Sequence, residues 1–328
     1  MKVLVTGANG LLGHQVVFIL QKMNLEVNII VRSTKNIHFD IKSVEVFEGN
    51  FNHYQTLKTA AEGCDAIIHI AAVTATDLLL YEDYSQINVD ASAQLIRVAN
   101  ELNINKLLYV STANTIGFGA EYKLATENDL IQFPFSESFY AQSKAEAEKL
   151  FVEASLLPNR HVIIINPTFM IGAYDAKPSS GKLMLMGYRK PLIFTPKGGK
   201  NFVPVSDVAT AICNALTHGR NGQRYLAAGK NLSFKEFYTL QKQMGNYKQT
   251  VIQLPDFLLL VIGKIGDLVR KCGAKTELCS MNLRQLIVRE YYSNEKAKAE
   301  LFMPQTDLGI AISEAICWFR ENGMDKYK

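Results

Sequence analysis

The opening of the chain constrains its fold more than any other stretch. Lys2-Val-Leu-Val-Thr6 is apolar and β-rich, and the segment after it, Gly7-Ala8-Asn9-Gly10-Leu11-Leu12-Gly13, has glycine at every third position. An amphipathic helical pattern then runs over residues 11–22. Strand, glycine turn and helix in this order make the first unit of a nucleotide-binding parallel sheet. The glycines permit a tight turn, close backbone approach to a diphosphate and close packing of helix on strand. The helix start turns free N–H groups and the positive end of its dipole toward phosphate. Glycines alone mark only a turn, and it is the flanking strand and helix that the nucleotide reading requires.

The first half continues in the same alternation, which predicts βαβ units. Strands are expected at residues 2–6, 26–31, 44–47, 66–70, 106–110 and 161–166, and helices at 11–22, 54–62, 84–102 and 140–154. Several strands are almost wholly apolar, as strands covered on both faces must be. Beyond Pro167 the pattern changes. Residues 173–204 are rich in Gly, Pro and Lys and read as loop, followed by helical patterns at 207–218, 233–244, 255–271 and 308–321. The expected architecture is an α/β Rossmann-type doubly wound parallel sheet with a smaller, mainly helical C-terminal lobe. Residues 1–172 form the dinucleotide-binding part and 173–328 the substrate-binding lobe, some of whose segments return to the sheet. Substrate is expected in the cleft between them, beyond the carboxyl ends of the strands.

Composition excludes several other classes. With 328 residues, 48% hydrophobic and 20% charged, the chain is an ordinary globular one, and a net charge of +4 is too weak to argue for nucleic acid. The five cysteines are scattered, with no CxxC pair and no histidines at metal-ligand spacing, so reduced thiols, no metal and a cytoplasmic setting are expected. Lys2 opens a strand at once, leaving no room for a signal peptide. The most apolar run, residues 257–262, is too short to span a membrane and reads as part of a buried amphipathic helix in preference to a membrane-surface helix, so no membrane partner is expected.

Tyr140-Ala-Gln-Ser-Lys144 opens one of the helical patterns. Residues at i and i+4 share a helix face, so both side chains can enter one site. A free tyrosine, with a pKa of about 10, is a poor acid/base at neutral pH. Lowering that value by three units takes about 4 kcal/mol, which one cation about 4 Å away at an effective dielectric of about 20 supplies. Tyrosine and lysine at this spacing also occur by chance. The pair gains meaning from Tyr109-Val-Ser-Thr112, where a strand end presents Ser111 and Thr112 at the ligand-binding edge.

Together these segments resemble the extended short-chain dehydrogenase/reductase family, the NAD-dependent epimerase/dehydratase superfamily. Residues 6–13 resemble its TGxxGxxG turn, with Thr6, Gly7, Asn9, Gly10, Leu11, Leu12 and Gly13 as cofactor-binding candidates. Residues 106–117 resemble the strand and loop that carry its catalytic hydroxyl. Thr112 matches that position, five residues before Gly117, and Ser111 is the runner-up. Tyr140 and Lys144 match the family YxxxK. Gly49-Asn50-Phe51 resembles the adenine-contacting GDL segment, with Asn50 in place of aspartate. His69-Ile-Ala71-Ala72 resembles HxAA, Asn88-Val the NV opening of the next helix, and Asn166-Pro167-Thr168 the segment near the nicotinamide.

The resemblance implies hydride transfer between nicotinamide and a carbonyl or hydroxyl carbon. Tyr140 is the general acid/base, Thr112 orients the substrate oxygen, and Lys144 lowers the tyrosine pKa and binds the nicotinamide ribose. Ser111, Tyr140 and Lys144 thus also count as cofactor contacts. The resemblance further implies homodimers paired through the helices at 84–102 and 140–154. Ala113 and Asn114 stand where a sugar dehydratase needs acids, so dehydration is disfavoured. Within the family the pattern is most similar to the dihydroflavonol reductase and 3β-hydroxysteroid dehydrogenase branch, which implies a small apolar substrate. Leu183-Met-Leu-Met186 suits such a ligand, or else simple core packing. The alternative is a nucleotide-sugar epimerase, favoured by Lys177, Lys182, Arg189, Lys190, Lys197 and Lys200 in an acid-free stretch. A second alternative is a dinucleotide-sensing regulator without turnover. NADP(H) is expected over NAD(H), although NAD fits the same fold. Val31-Arg32-Ser33 closes the second strand with a guanidinium suited to a 2′-phosphate, while Glu26 lies at its wrong end.

Overall fold

A computed structural model describes residues 1–35, 37–176 and 178–323. Lys177, one of the cations in the acid-free stretch, lies outside the described residues. In chain order the first half runs β1 (Lys2–Thr6), α1 (Leu11–Lys22), β2 (Glu26–Val31), β3 (Glu45–Glu48), α2 (Tyr54–Ala61), β4 (Ala66–His69), α3 (Glu82–Ser85), α4 (Ala91–Glu101), β5 (Lys106–Val110), α5 (Phe139–Ala154) and β6 (His161–Pro167). A π-helical turn over Gln86–Asp90 joins α3 to α4 as one continuous helix. The second half adds β7 (Phe169–Ile171), α6 (Gly181–Gly187), β8 (Leu192–Thr195), β9 (Gly199–Pro204), α7 (Val205–His218), β10 (Gln223–Ala227), β11 (Lys230–Ser233), α8 (Phe234–Met244), β12 (Thr250–Gln253), α9 (Asp256–Lys271), α10 (Ser280–Ile287), β13 (Arg289–Glu290), α11 (Glu295–Glu300) and α12 (Leu308–Glu321).

Seven strands form one sheet in the order β10-β6-β5-β4-β1-β2-β3, every neighbouring pair parallel. Strand order reverses beside β1, so the crevice at its carboxyl end is where a ligand fits. Period-2 burial explains the two cores. Val3 and Val5 face α1 and α7 on one side, and Leu4 faces α2, α4 and α5 on the other. The doubly wound architecture expected from the sequence is therefore present.

Residues 173–204, expected as loop, instead contain α6, β8 and β9. Their Gly, Pro and Lys content argues locally for loop, but β9 pairs with β7, β11 and β13, and β8 pairs with β12. Long-range pairing overrides local composition. The C-terminal lobe thus carries two small sheets as well as its helices. Leu183–Met186 belongs to its core rather than to an open site. Met184 is fully buried, Leu183 and Leu185 pack partly against the same cluster, and only Met186 is exposed. The run 257–262 also departs from expectation, since Leu259 is buried but Phe257, Leu258 and Val261 face solvent. All five cysteines are free. No helix among the described residues is long and apolar enough to cross a membrane.

Candidate active site

The turn between β1 and α1 is closed so tightly that only glycine fits it. Gly7 has φ +75°, and a Cβ there would sit 2.8 Å from the Ala71 nitrogen. A Cβ on Gly13 would lie 2.0 Å from the Gly7 carbonyl oxygen. Helix α1 begins after Gly10 with no side-chain cap, so its first N–H groups open on the crevice, flanked by the exposed Asn9 and the buried Leu11 and Leu12. The close packing of this turn and the uncapped helix start beside it fit the diphosphate of a dinucleotide.

Thr6, at the end of β1, locks the turn to β4. Its hydroxyl lies 2.7 Å from His69 Nδ1 and accepts the N–H groups of Ile70 and Ala71 at 3.2 and 3.3 Å. His69 reaches Ser92 through Nε2 at 3.3 Å, and burial pushes its pKa down to about 3 with Lys144 adding to the effect. Ala71 and Ala72 leave β4 at the carboxyl edge. Asn88, in the π turn, accepts the Val73 N–H at 2.8 Å and donates to Ser143 at 2.9 Å. That side chain fastens the strand-end loop to α5. Phe51 packs against the His69 ring at 5.7 Å, and the Asn50 carbonyl accepts the His53 N–H.

Arg32 follows β2 directly and is exposed. Glu26 stands at the far end of that strand, in register with Lys2. Glu26 is the only acid near Arg32 along this strand, but parallel pairing sets Glu48 of β3 opposite Val31, the residue before Arg32. Separation along the chain hid this neighbour.

The strand β5 ends in two hydroxyls with different surroundings. Ser111 donates to Glu148 Oε2 at 2.6 Å and is turned into the protein. Thr112 accepts the Asn114 N–H at 3.3 Å and lies beside the Tyr140 phenol, whose pKa it pulls down. Burial outweighs that pull and holds Tyr140 above its ordinary value. The expected depression of the tyrosine by Lys144 is therefore absent here. The reason is geometric: the buried Lys144 ammonium donates to the Val110 carbonyl at 2.8 Å and rests over the Tyr109 ring at 4.3 Å. Burial lowers the Lys144 pKa to about 7, with Glu148 acting in the opposite direction.

Glu148, four residues beyond Lys144, escaped the sequence reading. It is buried and accepts from Ser111, from Thr115 at 2.9 Å and from Asn166 at 3.1 Å, and it pairs with Arg224 at 3.2 Å. The continuing i+4 row Tyr140, Lys144, Glu148 was the available signal. At the end of β6, Pro167 pairs with Ala227, and the Thr168 hydroxyl just beyond it donates to Asn201 at 2.7 Å. A separate surface space of about 580 Å³ opens against α8 and β11 at Lys230, Lys235, Glu236 and Arg289. Of the sequence candidates only Lys197 lines it, and it lies apart from Thr112, Tyr140 and Lys144.

Residues 3–228 match the model of the NAD dependent epimerase/dehydratase family. The chain belongs to that family. It is 24% identical over 99% of its length to all of the Sterol demethylase protein B of Methylococcus capsulatus. It is 25% identical over 98% of its length to 95% of a putative dihydroflavonol 4-reductase of Synechocystis sp.. The crystal structure of gox2253 superposes with a TM-score of 0.83 at 26% identity, covering 98% of this chain and 99% of that one. The extended short-chain dehydrogenase/reductase resemblance is thus borne out, and the protein is an NAD(P)-dependent oxidoreductase.

Proposed function

We propose that the protein is an NADP(H)-dependent reductase of small apolar carbonyl compounds. The observation that supports this reading is that Tyr140 and Lys144 share one face of α5, which is tied through Lys144 and the Val110 carbonyl to the strand end that carries Thr112. Bound nicotinamide supplies or accepts the hydride. Tyr140 donates its phenolic proton to the carbonyl oxygen, and Thr112 hydrogen-bonds the same oxygen and fixes its position. Lys144, held at the end of β5 by the Val110 carbonyl, is the residue that reaches the nicotinamide ribose when cofactor binds. Gly7, Gly10 and Gly13 with Asn9, Leu11 and Leu12 receive the diphosphate, while Thr6 and Asn88 hold the surrounding loops. Asn50, Phe51, Ala71, Ala72, Pro167 and Thr168 border the cofactor, and Arg32 faces the 2′-phosphate. Residues 1–172 are the dinucleotide part and 173–328 the substrate lobe, with α7 and β10 returning to the sheet.

Support for an apolar substrate comes from the relatives, one named for sterol demethylation and one as a putative dihydroflavonol reductase. The charge argument for a sugar-nucleotide epimerase is weaker than the sequence suggested. Lys182 pairs with Glu277 at 2.7 Å, and Lys200 with the buried Glu290, so acids from elsewhere in the chain take up part of that basic stretch. NADPH oxidation against a panel of apolar ketones and aldehydes, beside calorimetry with UDP, tests the reading. Carbonyl turnover without a nucleotide handle is expected. Tight UDP binding without such turnover establishes the epimerase instead, and cofactor binding without any turnover establishes the sensor.

A further inference from the structure

Helix α9 turns its apolar side outward. Phe257, Leu258, Val261, Ile265, Leu268 and Val269 recur at the spacing of one helix face, and Phe257, Val261, Ile265 and Leu268 are 68%, 50%, 59% and 64% exposed. The opposite side is packed closely. Leu259 is buried, and a Cβ on Gly266 would lie 1.7 Å from the Leu278 carbonyl oxygen. The acids of the helix turn inward too, the Asp267 carboxylate accepting the Ser280 N–H at 2.9 Å and Asp256 being half-buried. Lys264 and Lys271, seven residues apart and so on one edge of the outward face, are exposed, as is Lys275 beyond the helix end. The outward face of the helix is therefore an apolar stripe with a cationic border and, among the described residues, no acid of its own; Glu277, exposed beyond the helix end, is paired with Lys182.

A surface helix normally buries such a stripe, and a contiguous apolar patch left in water marks an interaction site. We propose that α9 docks the protein on an anionic phospholipid surface, lying in the plane of the headgroups. The lysine border complements anionic headgroups, and the outward side chains reach the acyl boundary as in other interfacial amphipathic helices. The helix is about 24 Å long at 1.5 Å per residue, too short to span, so it lies on the bilayer. A second copy is the poorer occupant, because a two-fold contact of this face with itself offers its lysines no counter-charge. The proposal departs from the expectation of no membrane partner, and the experiment below decides between them.

The location gives the docking a purpose, which rests on the apolar-carbonyl reading above. Arg270 and Asn282 both donate to the Thr76 carbonyl, at 2.9 and 3.0 Å. They tie α9 and α10 to the loop that leaves β4 at the catalytic edge. A membrane-dissolved substrate then reaches the cleft without crossing bulk water.

Flotation of the full chain with phosphatidylcholine vesicles, with and without one quarter phosphatidylglycerol, tests the proposal. Wild type floats with the anionic vesicles and several-fold less with the neutral ones. Val261→Ser/Ile265→Ser/Leu268→Ser loses binding at least tenfold, and Lys264→Glu/Lys271→Glu loses it several-fold. Leu156→Ser, at an exposed position after α5, binds as wild type does. Circular dichroism melts show that each variant is folded. Wild-type protein that stays with neither vesicle, or a triple variant that binds equally well, overturns the proposal. So does a wild-type dimer, seen by sedimentation without lipid, that the triple substitution splits. The assay reads no turnover, so failure of the carbonyl reading leaves its answer intact.

Discussion

Lys144 sits between two opposing influences, burial that favours its neutral form and Glu148 that favours its charged form, and its pKa lies at about 7. If its charge supports proton donation by Tyr140, the reduction rate falls as pH rises through about 7. Glu148→Gln removes the stabilising charge, so this alkaline limb moves to lower pH; an unmoved limb in a folded variant separates Glu148 from the chemistry. Arg32 offers a second test. A charge-assisted hydrogen bond contributes roughly 1.5–3 kcal/mol, so Arg32→Ala should weaken NADPH about tenfold or more and leave NADH nearly untouched. Equal losses would show that Arg32 does not read the phosphate, and Glu48 beside it would become the residue to examine. Tyr140 and Lys144 were legible in the sequence because a helix face is fixed by spacing. Glu148 was not, since a carboxylate four residues from a lysine looks like an ordinary surface pair until the fold buries it. The family resemblance ranked Thr112 ahead of Ser111, but the residues alone did not, because the direction in which the strand end turns each hydroxyl is set by the fold, which sends Ser111 to Glu148.

At the scale of elements, the β1–turn–α1 unit is set by contacts that leave no room for a methyl group. Gly13→Ala should displace α1 from the Gly7 carbonyl, weaken dinucleotide binding at least tenfold and cost about 1–3 kcal/mol of stability. Cofactor titration together with urea unfolding measures both, and wild-type affinity in the variant would refute the assigned cradle. This unit was legible because strand, glycines and helix are adjacent in sequence. The small sheets of the C-terminal lobe were not, since β9 gains its strand character from β7, β11 and β13, which lie far apart along the chain. The long helix over 82–101 was found, but its π turn was not, because the insertion is held by Asn88 bonding to Val73 and Ser143 rather than by a local pattern. The exposed side of α9 was misjudged because periodicity shows that a helix is two-faced without showing which face the fold covers.

For the whole molecule, two buried histidines tie stability to pH. Burial lowers His14 to about 4 and His69 to about 3, whereas an unfolded imidazole titrates at about 6.5. Their folded values lie below the unfolded one, so the stability they contribute is complete above pH 6.5 and is lost as pH falls below it. Each histidine in that window costs about 1.4 kcal/mol per pH unit, or about 4 kcal/mol for both between pH 6.5 and 5. The urea midpoint should drop clearly from pH 7.5 to pH 5, and an unchanged midpoint would mean that these imidazoles are not held neutral. The sequence showed both histidines, but their burial comes from β4 being covered on both faces and from His14 packing against Tyr174 of the distant lobe at 4.2 Å. The central claim, that this fold reduces carbonyls with Tyr140 as the proton donor, is tested most directly by comparing wild type with Tyr140→Phe. On a carbonyl that the wild type reduces, the variant should lose nearly all NADPH-dependent turnover while binding NADPH almost unchanged, because only the transferable proton is gone. Retention of more than about a tenth of the wild-type rate would contradict the account.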